Sequence, residues 1–177
     1  MKNVVEQLAQ YKSVHFNKKN IQTHFVGIPL IIFSLTILLS LIQFEVNTDN
    51  GAFTFTFASI FFAIAILYYF ILHWRLALGM VAYIIPNIYL ASLVTPLKHS
   101  GSIAIAIFVI GWIIQFIGHH YEKAKPAFVD DLSQFLIGPF FLMAEVYFGL
   151  GLEKELLEEI TPLARDRRRA IEAASRT

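Results

Sequence analysis

Four stretches of this chain carry no charged residue, 26–44, 52–72, 76–97 and 100–118. Each is close to the roughly 20 apolar residues that a helix needs to cross a hydrocarbon core. Backbone groups in lipid must be satisfied within their own segment, so each stretch is expected to be a transmembrane helix. A fifth apolar stretch, 132–152, holds Glu145 and a Gly138-Pro139 break. It is expected to form a re-entrant or in-plane helical segment covering one mouth of the bundle. Over residues 1–22, Val4, Val5, Leu8, Tyr11 and Val14 recur at helical spacing, the mark of an amphipathic helix on the membrane surface or on the bundle. Asn17 or Asn20 can cap the helix that follows. Residues 45–51 contain the turn signal Asp49-Asn50-Gly51, and Pro86-Asn87 predicts a kink in the third span. Beyond residue 153 the pattern is charged and helix-forming up to Thr161-Pro162, with a basic tail over 161–177. The fold class expected is all-α: a polytopic membrane helical bundle of four transmembrane helices plus the covering segment, one integral membrane domain over 1–177.

Composition agrees, with 56% hydrophobic and 15% charged residues against about 25% charged in a soluble domain. Cysteine is absent, which excludes disulfides, thiolate metal sites and cysteine nucleophiles. Charge is arranged by loop. Four Lys and Arg precede the first span, Arg75 follows the second and eight lie from Lys123 onward, whereas Lys98 alone falls in the opposite set of loops. An even number of crossings with both termini cytoplasmic is expected from that bias, in a bacterial inner membrane, with the basic tail against anionic membrane lipids. The first apolar stretch begins about 25 residues in, behind a polar segment, and reads as a span and not as a cleaved signal. No phosphate loop, hydrolase elbow or nucleic-acid motif is present, so no nucleic-acid partner is expected.

Ionisable residues gather in the run Gly118-His119-His120-Tyr121-Glu122-Lys123. In the four-span topology His15, His24, His73, His119 and His120 fall on the same side. His15 and His24 are nine residues apart, opposite faces of one straight helix at ~100° per residue, so they converge only where the chain breaks between them. The stretch from Asn17 to Asn20 supplies that break. Asn20 and His24 share a face, as do His119 and Glu122. His15, His24, His119 and His120, with oxygen ligands nearby and no thiol, suit a non-haem iron, zinc or copper site. The bland alternative for any one of them is an interfacial side chain that snorkels to the headgroups. Glu122 is a ligand, an orienter of a liganding histidine, or a partner of Lys123 or Lys125. Glu145 is expected to pair with a lysine or to touch a histidine, because an unpaired carboxylate there is costly. His73 and His99 read as structural.

Two motifs together resemble the Mpo-type 2-hydroxy fatty acid dioxygenases, a family known from yeast phytosphingosine breakdown. The first holds Tyr11, Lys12, His15, Asn17, Lys19, Asn20, His24 and Pro29. The second holds Gly111, Trp112, Gln115, Phe116, Gly118, His119, Glu122, Lys123, Pro126 and Ala127. The resemblance implies an iron(II) enzyme without haem, which uses dioxygen to remove the carboxyl carbon of a long-chain 2-hydroxy fatty acid. Its pattern carries over to His15, Asn20, His24, His119 and Glu122; the full set expected is His15, His24, His119 and His120 as metal ligands, with Asn20, Glu122 and Lys123 in catalytic roles. The chain has one residue fewer between histidine and glutamate than the yeast-type pattern, which leaves His119 and His120 as alternative ligands. Two other classes stand beside this reading: a non-catalytic membrane lipid-binding protein, and a histidine-ligated haem membrane protein. A di-iron hydroxylase uses about eight histidines, and the chain has six.

Overall fold

A computed structural model describes residues 3–48, 51–129 and 131–174, which form seven α-helices and a β-hairpin. The hairpin corrects the all-α expectation. Strands β1 (Gln43–Thr48) and β2 (Gly51–Thr56) pair antiparallel, from Gln43 opposite Thr56 to Thr48 opposite Gly51. Phe44, Val46, Phe53 and Phe55 alternate with polar or small residues there, a strand period that in β2 lies within the uncharged run from residue 52. Asp49 and Asn50 of the expected turn lie outside the described residues.

The strands take the front of the expected second span. Helix α3 (Phe57–Leu72) keeps 16 residues, about 24 Å at 1.5 Å per residue, short of the ~30 Å hydrocarbon core. Three helices are long and apolar enough to cross a membrane: α2 (Lys18–Ser40), α4 (Trp74–Val94) and α5 (Ser100–Glu122). Length and composition therefore support three of the four expected spans.

Capping explains the early start of α2. Asn17 accepts from the Lys19 N–H, so the helix begins eight residues ahead of the apolar stretch and Asn20 becomes an interior position. Ahead of it, α1 (Val4–Lys12) opens on an Asn3–Glu6 capping box and buries Leu8, Ala9 and Tyr11. It packs against α6 and α7.

The covering segment is one continuous helix, α6 (Gln134–Gly149), with Pro139 inside it. Gly138 lets that helix lie close to α1, since a Cβ there would meet Tyr11 Oη at 3.1 Å. Helix α7 (Lys154–Ala174) likewise runs through Pro162. Its buried Leu156, Ile160 and Ala164 form an i, i+4 stripe packed on α1, and that burial outweighs the local proline cost.

Helices α2 and α5 run antiparallel in close contact along their length. A Cβ on Gly118 would strike Thr23 Oγ1 and Asn20 Oδ1; one on Gly111 would lie 2.8 Å from Ile31 Cγ1 and 3.1 Å from the Gly27 oxygen. Small residues at these points let two backbones approach, as in membrane helix pairs. His73 alone joins α3 to α4, ending one and capping the other. Asn87 donates to Thr36 Oγ1 at 2.7 Å, tying α4 to α2 beside Pro86. Helices α1, α6 and α7 collect where α2 begins and α5 ends. Their shared core includes Ile137, Phe140 and Phe141.

Candidate metal centre

Three imidazoles converge beneath α6, each carried by a different piece of chain. His15 lies in the short link between α1 and α2, His24 one turn and a half into α2, and His119 near the end of α5. All three are buried, and one nitrogen from each lies within 4.8 Å of the others. The link provides the break that lets His15 and His24 meet; it precedes Asn17 instead of following it. The glycine contacts of α5 with α2 bring His119 to the same spot.

Main-chain carbonyls set the tautomers. His15 Nδ1 is 2.6 Å from the Tyr11 oxygen, and His24 Nδ1 is 2.8 Å from the Asn20 oxygen. A carbonyl only accepts, so each Nδ1 carries the proton and each Nε2 presents a lone pair. Those two Nε2 atoms face one another at 3.0 Å. Two facing lone pairs repel, and a shared cation removes the conflict. With metal–nitrogen bonds of about 2.0–2.1 Å, imidazole nitrogens on one ion lie roughly 3.0–3.4 Å apart, so the cluster fits a metal after small side-chain shifts. His119 Nδ1 is buried and has no hydrogen-bond partner.

The ring of Tyr11 stacks on His15 with centroids 4.1 Å apart. Burial, then the neighbouring His24, and more weakly His119 and Lys12, hold the His15 pKa well below 6.5, against the opposing effect of its bond to the Tyr11 carbonyl. His15 is therefore neutral near pH 7, the state a ligand requires.

Glu122 is buried beside the triad and accepts four hydrogen bonds. Oε1 takes the Phe16 N–H at 3.2 Å and Arg168 Nη1 at 3.0 Å; Oε2 takes the Asn17 N–H at 2.8 Å and Asn20 Nδ2 at 3.2 Å. These fill the roughly four acceptor positions of a carboxylate. Asn20 also donates to the Val14 oxygen at 3.2 Å, so Asn20 and Glu122 together hold the link on both sides of His15. His120 and Lys123 are exposed on the outer side of the same helix end. Lys123 ends α5 in a left-handed conformation. Glu145 pairs with Lys12 at 2.8 Å, the lysine partner expected for it.

A cavity of about 350 Å³ runs from His24 and His119 into the bundle. Its walls are apolar, with Ile28 and Ile32 of α2, Phe62 of α3, Met80 of α4 and Trp112 of α5. Two amides border it with buried, unpaired atoms, Gln115 Nε2 and Gln134 Oε1.

A model of the family described as "2-hydroxy-palmitic acid dioxygenase Mpo1-like" matches residues 1–150. The chain belongs to the Mpo1-like family. It is similar to the 2-hydroxy-palmitic acid dioxygenase MPO1 of Saccharomyces cerevisiae, 32% identical over 156 residues that cover 85% of this chain and 83% of the relative. No solved structure matches. All three converging histidines and Glu122 lie inside the range matched by the Mpo1-like family, whereas α7 lies beyond it. Reasoning from sequence gave no role to Gln115, Gln134 or Arg168. Arg168 carried a legible signal, since it continues the spacing of Leu156, Ile160 and Ala164 by one more i+4 step.

Proposed function

We propose that this protein is an iron(II)-dependent dioxygenase that shortens long-chain 2-hydroxy fatty acids by one carbon. The observation that carries the reading is the placement of two tautomer-fixed Nε2 lone pairs and a third histidine at the mouth of an apolar cavity, in a chain related to a 2-hydroxy-palmitic acid dioxygenase. The overall reaction balances as R–CH(OH)–COOH + O2 → R–COOH + CO2 + H2O, with the 2-carbon and the carboxyl carbon giving four electrons to dioxygen. His15, His24 and His119 would hold the iron; an imidazole set with no thiolate suits that metal. Bound there, it would supply the one-electron chemistry that dioxygen needs and that no side chain of this protein provides.

The chain's own residues do the rest. Tyr11 and Asn20 orient two ligands through their carbonyls, and Glu122 and Asn20 hold the link that carries the first of these. The exposed His120 and Lys123 stand outside this centre. The alkyl tail occupies the cavity, where each buried methylene contributes about 0.8 kcal/mol. Gln134 gives its Nε2 to Gln7 Oε1 at 2.7 Å, which leaves Oε1 to accept from the 2-hydroxyl, and Gln115 Nε2 is free to donate to the carboxylate. An unpaired buried amide atom costs roughly 1–3 kcal/mol, and this head group satisfies both. A haem fits poorly, because 3.0 Å between His15 Nε2 and His24 Nε2 leaves no room for a macrocycle. The substrates are the 2-hydroxy acid and dioxygen, and membrane lipids surround the spans.

Purified protein given iron(II), oxygen and 2-hydroxyhexadecanoic acid should yield pentadecanoic acid, with strict dependence on oxygen and loss on chelation. Turnover without oxygen would contradict the proposal, and binding of the acid without any turnover would favour a lipid-binding protein.

A further inference from the structure

The C-terminal helix reaches the metal centre from outside the family-matched range. Leu156, Ile160 and Ala164 are buried on one face of α7, and the next step of that face is Arg168. Its Nη1 donates to Glu122 Oε1 at 3.0 Å and its Nη2 to the Glu122 main-chain oxygen at 3.1 Å. A Glu172 carboxylate oxygen 2.7 Å from Nε fixes the guanidinium from behind. Glu122 is itself 2% exposed at its side chain, and a carboxylate so deeply buried depends on a compensating charge. Lys12, a cation close to His15, is engaged with Glu145.

We infer that Arg168 is a positioning residue of the metal centre: it holds the Glu122 carboxylate in place, and through it the link that carries His15. Phe16 and Asn17, the two residues after His15, both give their N–H to this carboxylate. The third tie, from Asn20, reaches Val14 on the other side. Without Arg168 the carboxylate loses the partner that fixes Oε1 and swings toward water. That movement surrenders its bonds to the Phe16 and Asn17 N–H groups, and the link loosens while His24 and His119 stay on their helices. The inference rests on the reading of the three histidines as a metal centre.

Full-length protein in detergent, titrated with Co2+ as a spectroscopic probe, tests both separately. Arg168→Gln should weaken Co2+ binding about 10–100-fold, the usual effect of losing a group behind a ligand, and should alter the visible bands. Arg168→Lys, which keeps the charge and loses the fork, should fall between. Arg169→Gln, a control at an exposed position paired with Asp166, should match wild type. Because Arg168 acts through Glu122, the Glu122→Gln, Arg168→Gln double variant should bind no more weakly than Glu122→Gln alone. Wild-type affinity and bands in Arg168→Gln would overturn the inference, as would simple additivity in the double variant. If circular dichroism shows Arg168→Gln unfolded, Arg168→Lys decides, and full affinity there overturns it. A wild-type protein that binds no Co2+ removes the metal centre itself, and this inference with it.

Discussion

His15 and His24 turn Nε2 lone pairs toward one another because carbonyl oxygens one helical turn behind them, Tyr11 and Asn20, hold each Nδ1. Alanine at His15, His24 or His119 should abolish metal retention, whereas His120→Ala and Lys123→Ala should leave metal content unchanged by elemental analysis. The helix explains which of the adjacent pair joins the cluster. His119 shares the face of Gly111 and Gln115 that lies on α2, and His120 is turned away from it by ~100°. That distinction was present in the sequence spacing and needed only the identity of the face packed on α2. Protonation gives a second prediction. Burial depresses the His15 pKa, so below its ordinary value of 6.5 the unfolded chain takes up a proton that the folded one does not. Stability of the metal-free protein is full above that pH and falls below it, by up to about 1.4 kcal/mol per pH unit. Denaturant unfolding of chelator-treated protein between pH 7 and pH 5 measures it, and constant stability would contradict the burial. Specificity is also decided at single residues. Replacing Gln134 by Leu removes the acceptor offered to a 2-hydroxyl, so the preference for 2-hydroxyhexadecanoic over hexadecanoic acid in a competition-binding measurement should drop at least tenfold.

Helix pairing positions what the residues supply. Gly118 lies against Asn20 and Thr23, and Gly118→Val should force α5 away from α2 at the point where His24 meets His119. A loss of about 1–3 kcal/mol in stability is expected from such overpacking, with reduced metal content in protein that still folds; undiminished metal would separate the glycine contact from the centre. The apolar runs announced α2, α4 and α5 because a lipid-facing helix needs length and little else. The hairpin was harder to read: Phe44, Val46, Phe53 and Phe55 have a strand period, yet the absence of charge from residue 52 onward fits a span as well. Thr161-Pro162 was misleading in the other direction, since proline marks a helix end only when tertiary burial does not oppose it. Leu156, Ile160 and Ala164 oppose it here, and the same burial carries Arg168 inward. Distance in sequence concealed that contact, because Glu122 and Arg168 are 46 positions apart and each has a plausible surface partner close by.

The whole molecule places its buried histidines at one end and its apolar cavity behind them. Helices α1, α6 and α7 surround the histidines, and the β1–β2 hairpin lies at the far end of the bundle. Among the described residues, eleven Lys and Arg belong to the histidine end and Lys98 to the other, so reporters fused after Thr177 and within the hairpin should report opposite sides of the membrane, the first cytoplasmic. Both reporters on one side would contradict this topology. The cavity adds a dependence on chain length: each methylene removed from the substrate should weaken binding about fourfold while the tail remains inside the protein. The expectations about metal content and turnover depend on an ion held by three histidines. The most direct measurement is therefore the iron content of protein purified without oxygen, compared with that of the His15→Ala, His24→Ala, His119→Ala triple variant. The account predicts about one iron per chain in the first and none in the second, with both folded by circular dichroism. Iron retained by the triple variant, or absent from the wild type after reconstitution with iron(II), would contradict it.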